Sequence, residues 1–323
     1  ERMATLCDGV APLVLGQDVS DPERVCQELR RRLLPIGRQW GAPGPIWQAI
    51  SAVDQALWDL KGKRAGQSVA QLLGGGPPRR SVPAYASGVG PTDVITLCES
   101  ALDAGLTAVK TKVGFGVDTD HTTLGDARSA LGAEVALFAD ANQAWSLDEA
   151  QAMSELLERH QVGWIEEPLA GDDLGELERL SATIPIPIAT GENVYGESEF
   201  ERYLNSKAVH TIQPDVAKSG GLTLAAAVAR SADRAGASVA PHCYSGAVSL
   251  AASLQFAAAF PVVTWVELDV RRNPLRSDLL TVPLRLEAGA LVLPEGPGLG
   301  VEIDQAVADR AQIHREQRTQ RDL

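Results

Sequence analysis

Ionisable residues recur along the middle of this sequence at a spacing that favours a shared catalytic site. The series comprises Lys110, Lys112, Asp140, Glu166, Glu192, Asp215, His242 and Glu267. From Lys112 onward, neighbouring members lie roughly 23 to 28 residues apart, which suits one strand, one helix and their connections. If folding gathers these side chains, they supply carboxylates, ammonium groups and an imidazole, which together could bind a cation and move a proton.

Three of the carboxylates, Asp140, Glu166 and Glu192, are candidate metal ligands. A set of oxygen ligands without histidine or cysteine favours a hard divalent cation whose coordination is completed by water and substrate. We therefore expect Mg²⁺, with Mn²⁺ as a substitute. The alternative is that the three acids pair with nearby lysines and bind no metal, although three neighbouring acids would repel one another.

Lys110 and Lys112 lie two residues apart on one predicted strand, so their side chains point to the same side. Inside a barrel both ammonium groups would be buried, which requires anionic partners. Crowding by positive charge is expected to lower the pKa of one lysine towards the range of a general base. The alternative is an edge strand on which both lysines are exposed.

His242 ends a predicted strand, and Asp215 ends the strand before it. A carboxylate on one ring nitrogen would fix the tautomer, raise the basicity of the imidazole and leave the other nitrogen free. In a barrel, Lys112 and His242 would lie on opposite sides of the metal, one base for each face of a substrate's α-carbon. Loss of the α-proton would give an enediolate, which the metal, Lys110 and a protonated Glu267 would stabilise.

Short apolar segments rich in β-branched residues precede these groups and predict buried strands. They are Val82–Tyr85, Thr107–Val109, Val135–Phe138, Val162–Ile165, Ile186–Ile188, Thr211–Ile212, Ser238–Ala240 and Val262–Val266. Helical patterns lie between them: a capping box at Ser146 and Glu149 begins one, and another runs from Leu222 to Arg234. Alternating strands and helices predict an α/β barrel whose catalytic groups lie at the C-terminal ends of the strands.

The two ends of the chain do not follow this alternation. Predicted helices at Asp21–Leu34 and Trp47–Leu60 are followed by the break Gly74-Gly75-Gly76-Pro77-Pro78. Residues 284–293 predict two strands around a turn. We therefore expect an N-terminal cap at residues 1–80, a barrel at 81–269 and a C-terminal segment at 270–323 that returns to the cap.

Composition excludes several other classes of protein. The formal charge of −13 argues against a surface that tracks nucleic-acid phosphates. The sequence contains no apolar run long enough for a membrane span, which requires about 18 residues. The 4 cysteines are scattered without a CxxC pair, which favours reduced thiols and a cytoplasmic location.

Motifs around the ionisable series resemble those of the enolase superfamily, and specifically of its mandelate racemase branch. The matching segments are Lys110-Thr-Lys112-Val-Gly, Asp140-Ala-Asn142-Gln-Ala-Trp145, Trp164-Ile-Glu166-Glu-Pro168, Ala189-Thr-Gly191-Glu192-Asn193, Gln213-Pro-Asp215-Val-Ala-Lys218, Pro241-His242 and Trp265-Val-Glu267. Two further segments, at 56–63 and 297–302, are similar to the family's cap and tail. The likeness runs in order over nearly the whole chain.

The resemblance implies a modified TIM barrel, (β/α)7β, beneath an α+β cap built from the N-terminal part and the C-terminal tail. The family's usual N-terminal β-meander has no evident counterpart in this sequence. In the family's Glu-Glu-Pro motif the first acid is the ligand, which here implies Mg²⁺ on Glu166 together with Asp140 and Glu192. Lys112 would be one base, and Lys110 would be the cation beside the substrate carboxylate.

The resemblance makes the pair Asp215–His242 the second base or acid, and it places Asn142 and Lys218 in the pocket. The reaction it favours is dehydration of an aldonate or aldarate to a 2-keto-3-deoxy acid, with His242 protonating the departing β-hydroxyl. One alternative is racemisation or epimerisation of a 2-hydroxy acid between Lys112 and His242. Another makes Lys218 the second base, as in relatives similar to muconate cycloisomerase and dipeptide epimerase, which usually lack this histidine.

A different class of function is a non-catalytic barrel that serves as a binding protein, but the full set of ligands and bases argues against it. The expected partner is a small-molecule carboxylate substrate, with no nucleic acid and no membrane. Since relatives are often dimers or octamers, we expect a homo-oligomer.

Overall fold

A computed structural model describes residues 9–311 of this chain, apart from Val19 and Asp172. Before the first strand it contains helices α1 (Ala11–Val14), α2 (Pro22–Gln39), α3 (Pro43–Ala65) and α4 (Val69–Gly74). Asp21 caps α2 by accepting a hydrogen bond from the backbone N–H of Arg24. The two predicted N-terminal helices are confirmed, and both extend beyond their predicted ends.

The predicted alternation of strands and helices is confirmed. The strands are β1 (Ser81–Val89), β2 (Ala108–Lys112), β3 (Ala136–Asp140), β4 (Val162–Glu166), β5 (Ile188–Thr190), β6 (Thr211–Ile212), β7 (Ser238–Val239) and β8 (Val266–Asp269). The intervening helices are α5 (Val94–Asp103), α6 (Val117–Leu131), α7 (Leu147–Arg159), α8 (Leu174–Ser181), α9 (Glu197–Ser206), α10 (Gly221–Ala235) and α11 (Ala247–Ala259). A helix therefore follows each of the first seven strands.

The eight strands close into a parallel barrel. Hydrogen-bonded order from β1 to β7 follows chain order, and β8 pairs with β1. Just before β8, the N–H of Thr264 donates to the carbonyl of Val239 on β7 over 2.9 Å. This bond joins the last strand to β7 and completes the predicted (β/α)7β barrel.

Local sequence explains where the elements begin. The capping box is confirmed: the Ser146 hydroxyl accepts from the N–H of Glu149, and the Glu149 carboxylate accepts from the N–H of Ser146. Strand β5 starts two residues later than predicted, because Pro187 has no N–H to donate to a ladder. Strand β8 also starts late, since Val263 forms only an isolated bridge to β7.

Aromatic side chains fill one layer of the barrel interior. Phe138 and Trp164 stack with ring centroids 3.4 Å apart, and Tyr85 meets both rings edge-on. Small residues such as Ala108 and Ala189 complete this buried layer. An apolar layer of this kind excludes water from the barrel interior, so the polar groups gather at the C-terminal strand ends.

The C-terminal part forms the predicted pair of strands, together with two short helices. Strands β9 (Leu286–Glu287) and β10 (Ala290–Val292) flank a turn, and β10 pairs antiparallel with the start of β1. Helix α12 (Pro274–Ser277) precedes them and α13 (Gln305–Ala311) follows. Gly298 then bonds the backbone of Val69 and Gln67 in the N-terminal part. Residues 1–8 and 312–323 of the two expected end segments lie outside the described residues.

Helix α3 of the N-terminal part docks on the start of the barrel helix α10 through a buried carboxylate. Asp54 accepts hydrogen bonds from the backbone N–H of Thr223 (3.0 Å) and from its hydroxyl (2.5 Å). The indole N–H of Trp58 donates to the same hydroxyl over 2.9 Å. Gly221 permits this approach, because a Cβ there would overlap the Asp54 carboxylate. The contact fixes α3 against the barrel.

Burial raises the pKa of Asp54 from 3.8 to about 6, despite the hydrogen bonds from Thr223. Because its folded-state pKa is raised, folded Asp54 keeps a proton that the unfolded chain releases. The free energy of unfolding therefore falls as the pH rises from about 4 to 6. Between pH 4.5 and 7 we expect this loss to be about 2 kcal/mol. Asp54→Asn should remove it, as measured by urea unfolding at both pH values.

The matched control is Asp103→Asn, which changes an exposed acid at the end of α5. This variant should retain the pH dependence of the wild-type protein. An Asp54→Asn protein whose unfolding free energy varies with pH as the wild type does would contradict a protonated Asp54.

Candidate active site

The ionisable series lies together at the C-terminal ends of the strands. Lys112 of β2 pairs in register with Asp140 of β3, and Asp140 pairs with Glu166 of β4. Glu192, Asp215 and His242 lie in the loops that follow β5, β6 and β7. Because the C-terminal ends of parallel strands lie at one rim of the barrel, residues that are one strand and one helix apart in the sequence come close together.

Lys110 is the centre of the buried part of the site. Its Nζ lies 2.7 Å from Glu166, 3.0 Å from Glu267 and 3.6 Å from Asp140. Burial alone would lower the pKa of Lys110, but the charges of Glu166 and Glu267 outweigh it and raise that pKa well above its ordinary value. The lysine whose pKa was expected to fall is therefore not Lys110, because carboxylates surround Lys110 more closely than other cations do.

Lys112 lies above Lys110, on the same side of β2, and reaches a cavity at the barrel mouth. Its Nζ contacts Asp140 Oδ2 at 2.5 Å and Asn142 Oδ1 at 2.6 Å. The Lys112 side chain is 29% exposed, against 2% for Lys110. Of the two lysines, Lys112 alone lines the cavity, so it is the one that a substrate can reach.

Acids contact both ring nitrogens of His242. Asp215 Oδ2 lies 2.8 Å from Nδ1, as predicted, but Glu192 Oε2 lies 2.9 Å from Nε2. The expectation that the second nitrogen is free is therefore wrong in this structure. Burial would lower the pKa of His242, yet Glu267, Asp215 and Glu192 raise it well above its usual range. The raised pKa favours the imidazolium form of His242, in which both ring nitrogens donate.

Glu267 is an ionised acceptor, which corrects the expectation of a protonated donor. Burial would raise its pKa, but the charges of Lys110 and His242 lower it below the usual range. The backbone N–H of Cys243 also donates to Glu267 Oε2 over 2.8 Å. Its carboxylate neutralises two cations of the site instead of donating to a substrate.

The three candidate ligands do not converge on one point in this structure. Among the described residues, no group of three His, Cys, Asp or Glu side chains is arranged to hold a metal ion. Asp140 pairs with Lys112, Glu166 with Lys110 and Glu192 with His242. Each of the three carboxylates instead contacts the nearest positive charge, and their assignment as metal ligands stays a prediction.

The chemistry of this donor set nevertheless fits a hard divalent cation. The pKa of Glu166 is raised overall. Burial and the charges of Asp140 and Glu267 raise it, and Lys110 lowers it. Together with Glu192 and Asp215, these carboxylates outnumber the cationic side chains that contact them. A divalent cation with oxygen ligands would offset the excess negative charge.

Further polar residues orient these groups, and the sequence predicted no role for three of them, Gln213, Glu167 and Asn193. Gln213 donates to Glu166 Oε2 over 2.6 Å. Its position in the Gln213-Pro-Asp215 motif is the sequence feature that could have indicated this role. Glu167 accepts from the amide of Asn193, which in turn accepts from Lys218 over 3.1 Å. Glu167 is therefore placed beside the ligand set and supports it indirectly.

A cavity of about 640 Å³ opens over this network, within the usual size range for small-molecule sites. Its lining residues include Gln48, Ser87, Gly88, Lys112, Asn142, Glu192, Tyr195, Asp215, Lys218, His242, Tyr244, Glu267 and Arg271. The expected pocket residues Asn142 and Lys218 both reach it. Lys110, Asp140 and Glu166 are buried and do not line it. The cavity thus exposes Lys112 and His242 to one ligand.

Two family models match the chain. Residues 93–307 match the enolase C-terminal domain-like family, and residues 1–74 match the N-terminal domain of the mandelate racemase / muconate lactonizing enzyme family. A mandelate racemase/muconate lactonizing enzyme from Bordetella bronchiseptica RB50 has a solved structure that is 36% identical, with a TM-score of 0.91. That similarity covers 96% of this chain and 86% of the solved chain.

Several characterised enzymes are similar over most of their length. A D-galactarolactone cycloisomerase from Agrobacterium fabrum is 34% identical, over 90% of this chain and 80% of its own. An L-talarate/galactarate dehydratase from Salmonella typhimurium is 33% identical, over 92% and 72%. An arabinonate dehydratase from Saccharolobus solfataricus is 32% identical, over 92% and 79%.

Gly191 sets the backbone that presents Glu192. Its φ is +141°, and a Cβ there would lie 2.7 Å from the backbone N of Gln213. We expect Gly191→Ala to lower the free energy of unfolding by roughly 2–4 kcal/mol through strain and overlap. Chemical unfolding would measure the change. Gly76→Ala, where a Cβ meets nothing within 4 Å, is the control and should change it by less than about 1 kcal/mol.

Proposed function

Because this chain belongs to the mandelate racemase / muconate lactonizing enzyme family, we propose that it dehydrates an acid sugar to a 2-keto-3-deoxy acid. The observation that supports this most directly is that Lys112 and His242 line one cavity. A base and a protonated acid on one ligand are what removal of an α-proton and a β-hydroxyl requires. Relatives named as arabinonate and L-talarate/galactarate dehydratases support the same reaction.

In the proposed mechanism, Lys112 removes the proton α to the substrate carboxylate. Asp140 and Asn142 hold its Nζ at 2.5 and 2.6 Å, which orients the amine at the floor of the cavity. The amine must be neutral to accept the proton, so Lys112 first releases a proton to solvent and leaves Asp140. Breaking the C–H bond leaves an enediolate, whose charge Lys110 stabilises from beneath.

His242 then completes the elimination. Nε2 of the protonated ring leaves Glu192 and donates its proton to the β-hydroxyl, the C–O bond breaks, and water leaves. Asp215 holds Nδ1 at 2.8 Å and fixes the ring orientation during this transfer. The resulting enol becomes the 2-keto-3-deoxy acid when a proton adds at the carbon that lost the hydroxyl.

Asp140, Glu166 and Glu192 are the residues that we propose to hold Mg²⁺, or Mn²⁺ in its place. When bound, such an ion acts as a Lewis acid that favours negative charge on the substrate's carboxylate oxygens. Enzymes of the enolase superfamily generally use Mg²⁺. The excess of carboxylates over cations is the structural observation that supports this assignment.

Proton transfer without dehydration is the second candidate function. Since Lys112 and His242 both line the cavity, the same residues could racemise or epimerise a 2-hydroxy acid. Lys218 also lines it, 4.0 Å from Glu192, and could replace His242 as the second base. The similar D-galactarolactone cycloisomerase is an isomerase by name, so product analysis must separate these reactions.

We also propose a cytoplasmic location and assembly into a homo-oligomer. Cys26, Cys98 and Cys243 are buried free thiols, which fits a reducing compartment; Cys7 lies outside the described residues. No helix in the described part of the chain is both long and apolar enough to cross a bilayer.

Product analysis across a panel of aldonates and aldarates tests the function. With Mg²⁺, we expect a 2-keto-3-deoxy acid from at least one of them, and His242→Asn should lower its formation by about 10²- to 10⁴-fold. The variant should still exchange the α-proton with D₂O through Lys112, as followed by NMR. Lys218→Met is the matched control and should lose less than about tenfold.

The alternative functions predict different products and different effects of the two variants. A racemised 2-hydroxy acid without keto acid would favour the isomerase. Loss of activity in Lys218→Met but not in His242→Asn would make Lys218 the second base. Binding of acids without turnover or exchange would leave a non-catalytic binding protein.

Metal dependence tests the ligand assignment separately. Saturating Mg²⁺ should raise the unfolding temperature of chelator-treated protein, since a ligand at 100 times its Kd stabilises the folded state by about 2.7 kcal/mol. Glu166→Gln should abolish this shift, whereas Glu167→Gln should keep it. Equal shifts in both variants, by calorimetry, would contradict Glu166 as a ligand.

A further inference from the structure

Arg271, two residues beyond β8, is built into the wall of the cavity. Both Arg271 and Gly88 of β1 line it. A Cβ on Gly88 would lie 2.3 Å from Asp269 Oδ1, 2.9 Å from Arg271 Nε and 3.3 Å from Arg271 Cγ. The missing side chain at residue 88 therefore leaves room for Asp269 and Arg271 at the end of β1.

The guanidinium of Arg271 is held through its Nε atom and by stacking on an aromatic ring. Its Nε lies 3.4 Å from Asp269 Oδ1, and its Cζ stacks 4.8 Å from the centre of the Tyr244 ring. Arg276 already contacts the other oxygen of Asp269 over 3.1 Å. Within the described part of the chain, no hydrogen bond involves Nη1 or Nη2 of Arg271. These two nitrogens form the edge that grips a carboxylate in a bidentate pair.

The other cations around the cavity have acid or amide partners at their charged ends. Lys110 contacts Glu166 and Glu267, while Lys112 contacts Asp140 and Asn142. Lys218 donates to Asn193 and lies 4.0 Å from Glu192. Arg271, 49% exposed, is thus the cation around this cavity whose donors remain available to a ligand.

Barrel order places Arg271 at the far end of the substrate. Strand β8 lies across the barrel from β4, which carries Glu166. Between them, Lys112 and His242 flank the cavity from β2 and the loop after β7. The His242, Tyr244 and Arg271 side chains form a continuous stack, with the His242 and Tyr244 rings 6.5 Å apart. An acid whose α-carbon lies between Lys112 and His242 would extend its other end towards Arg271.

We infer that Arg271 binds a second carboxylate at the distal end of the substrate, so that the preferred acid sugar is a dicarboxylic aldarate. The inference rests on the proposed dehydration and narrows its substrate class. An aldonate ends in a neutral hydroxymethyl group, which can accept a hydrogen bond from the guanidinium but cannot form a bidentate ion pair with it. Arg271 is then the residue that distinguishes the two classes.

Paired substrates test this inference. Initial rates of keto-acid formation are measured with Mg²⁺ for aldarates and aldonates of matched configuration, galactarate with galactonate among them. We expect the wild-type enzyme to favour the aldarate by tenfold or more in kcat/KM. Arg271→Gln should lower kcat/KM for the aldarate by about 10- to 100-fold, mainly through KM, and change the aldonate value less than threefold.

The control is Arg272→Gln, which removes the same charge from the neighbouring exposed residue outside this cavity. It should change neither substrate by more than about twofold. Arg271→Lys keeps the charge but not the paired donors, and should fall between wild type and Arg271→Gln. It also supplies a folded variant if Arg271→Gln is unstable.

The failures of the two proposals can be told apart. Keto acid from aldonates with no preference for aldarates, or an equal loss on both classes in Arg271→Gln, would overturn the role of Arg271 and leave the dehydration standing. No keto acid from any pair would overturn the dehydration, and the distal-carboxylate role would fall with it.

Discussion

The buried ammonium group of Lys110 is the interaction on which the rest of the site depends. It lies 2.7 Å from Glu166 and 3.0 Å from Glu267 at the bottom of the barrel mouth, where water cannot screen charge. An unpaired charge there would cost several kcal/mol, so lysine and carboxylates require one another. Glu267 also couples Lys110 to His242, because its negative charge raises the pKa of both residues.

This network is possible because the barrel separates apolar from polar layers. Tyr85, Phe138 and Trp164 fill the interior with rings, and the charged groups occupy the C-terminal rim. Where the backbone must bring a loop close to the site, glycine occurs: Gly191 turns the chain before Glu192, and Gly88 makes room for Arg271. Rigid placement of this kind keeps Lys112 and His242 on one cavity.

Most of the candidate site could be predicted because its residues end regular elements. A strand length and a helix length together fix the interval between Asp140, Glu166 and Glu192, and closure of a parallel barrel brings such positions to one rim. Boundaries were less predictable: β5 and β8 begin late because of Pro187 and the isolated bridge at Val263. The pattern of hydrophobic residues does not show which backbone groups form ladder hydrogen bonds, so it cannot locate these strand starts.

The sequence by itself determined the barrel, the order of its ionisable groups and the pairing of Asp215 with His242, since these follow from periodicity and chain order. Only the tertiary structure decided the electrostatics and the contacts between distant segments. It showed the raised pKa of Lys110, the contact of Glu192 with His242, the ionised Glu267 and the placement of Arg271 over Gly88. Each depends on three-dimensional distances, and charge interactions change with distance and burial in ways that sequence spacing does not encode.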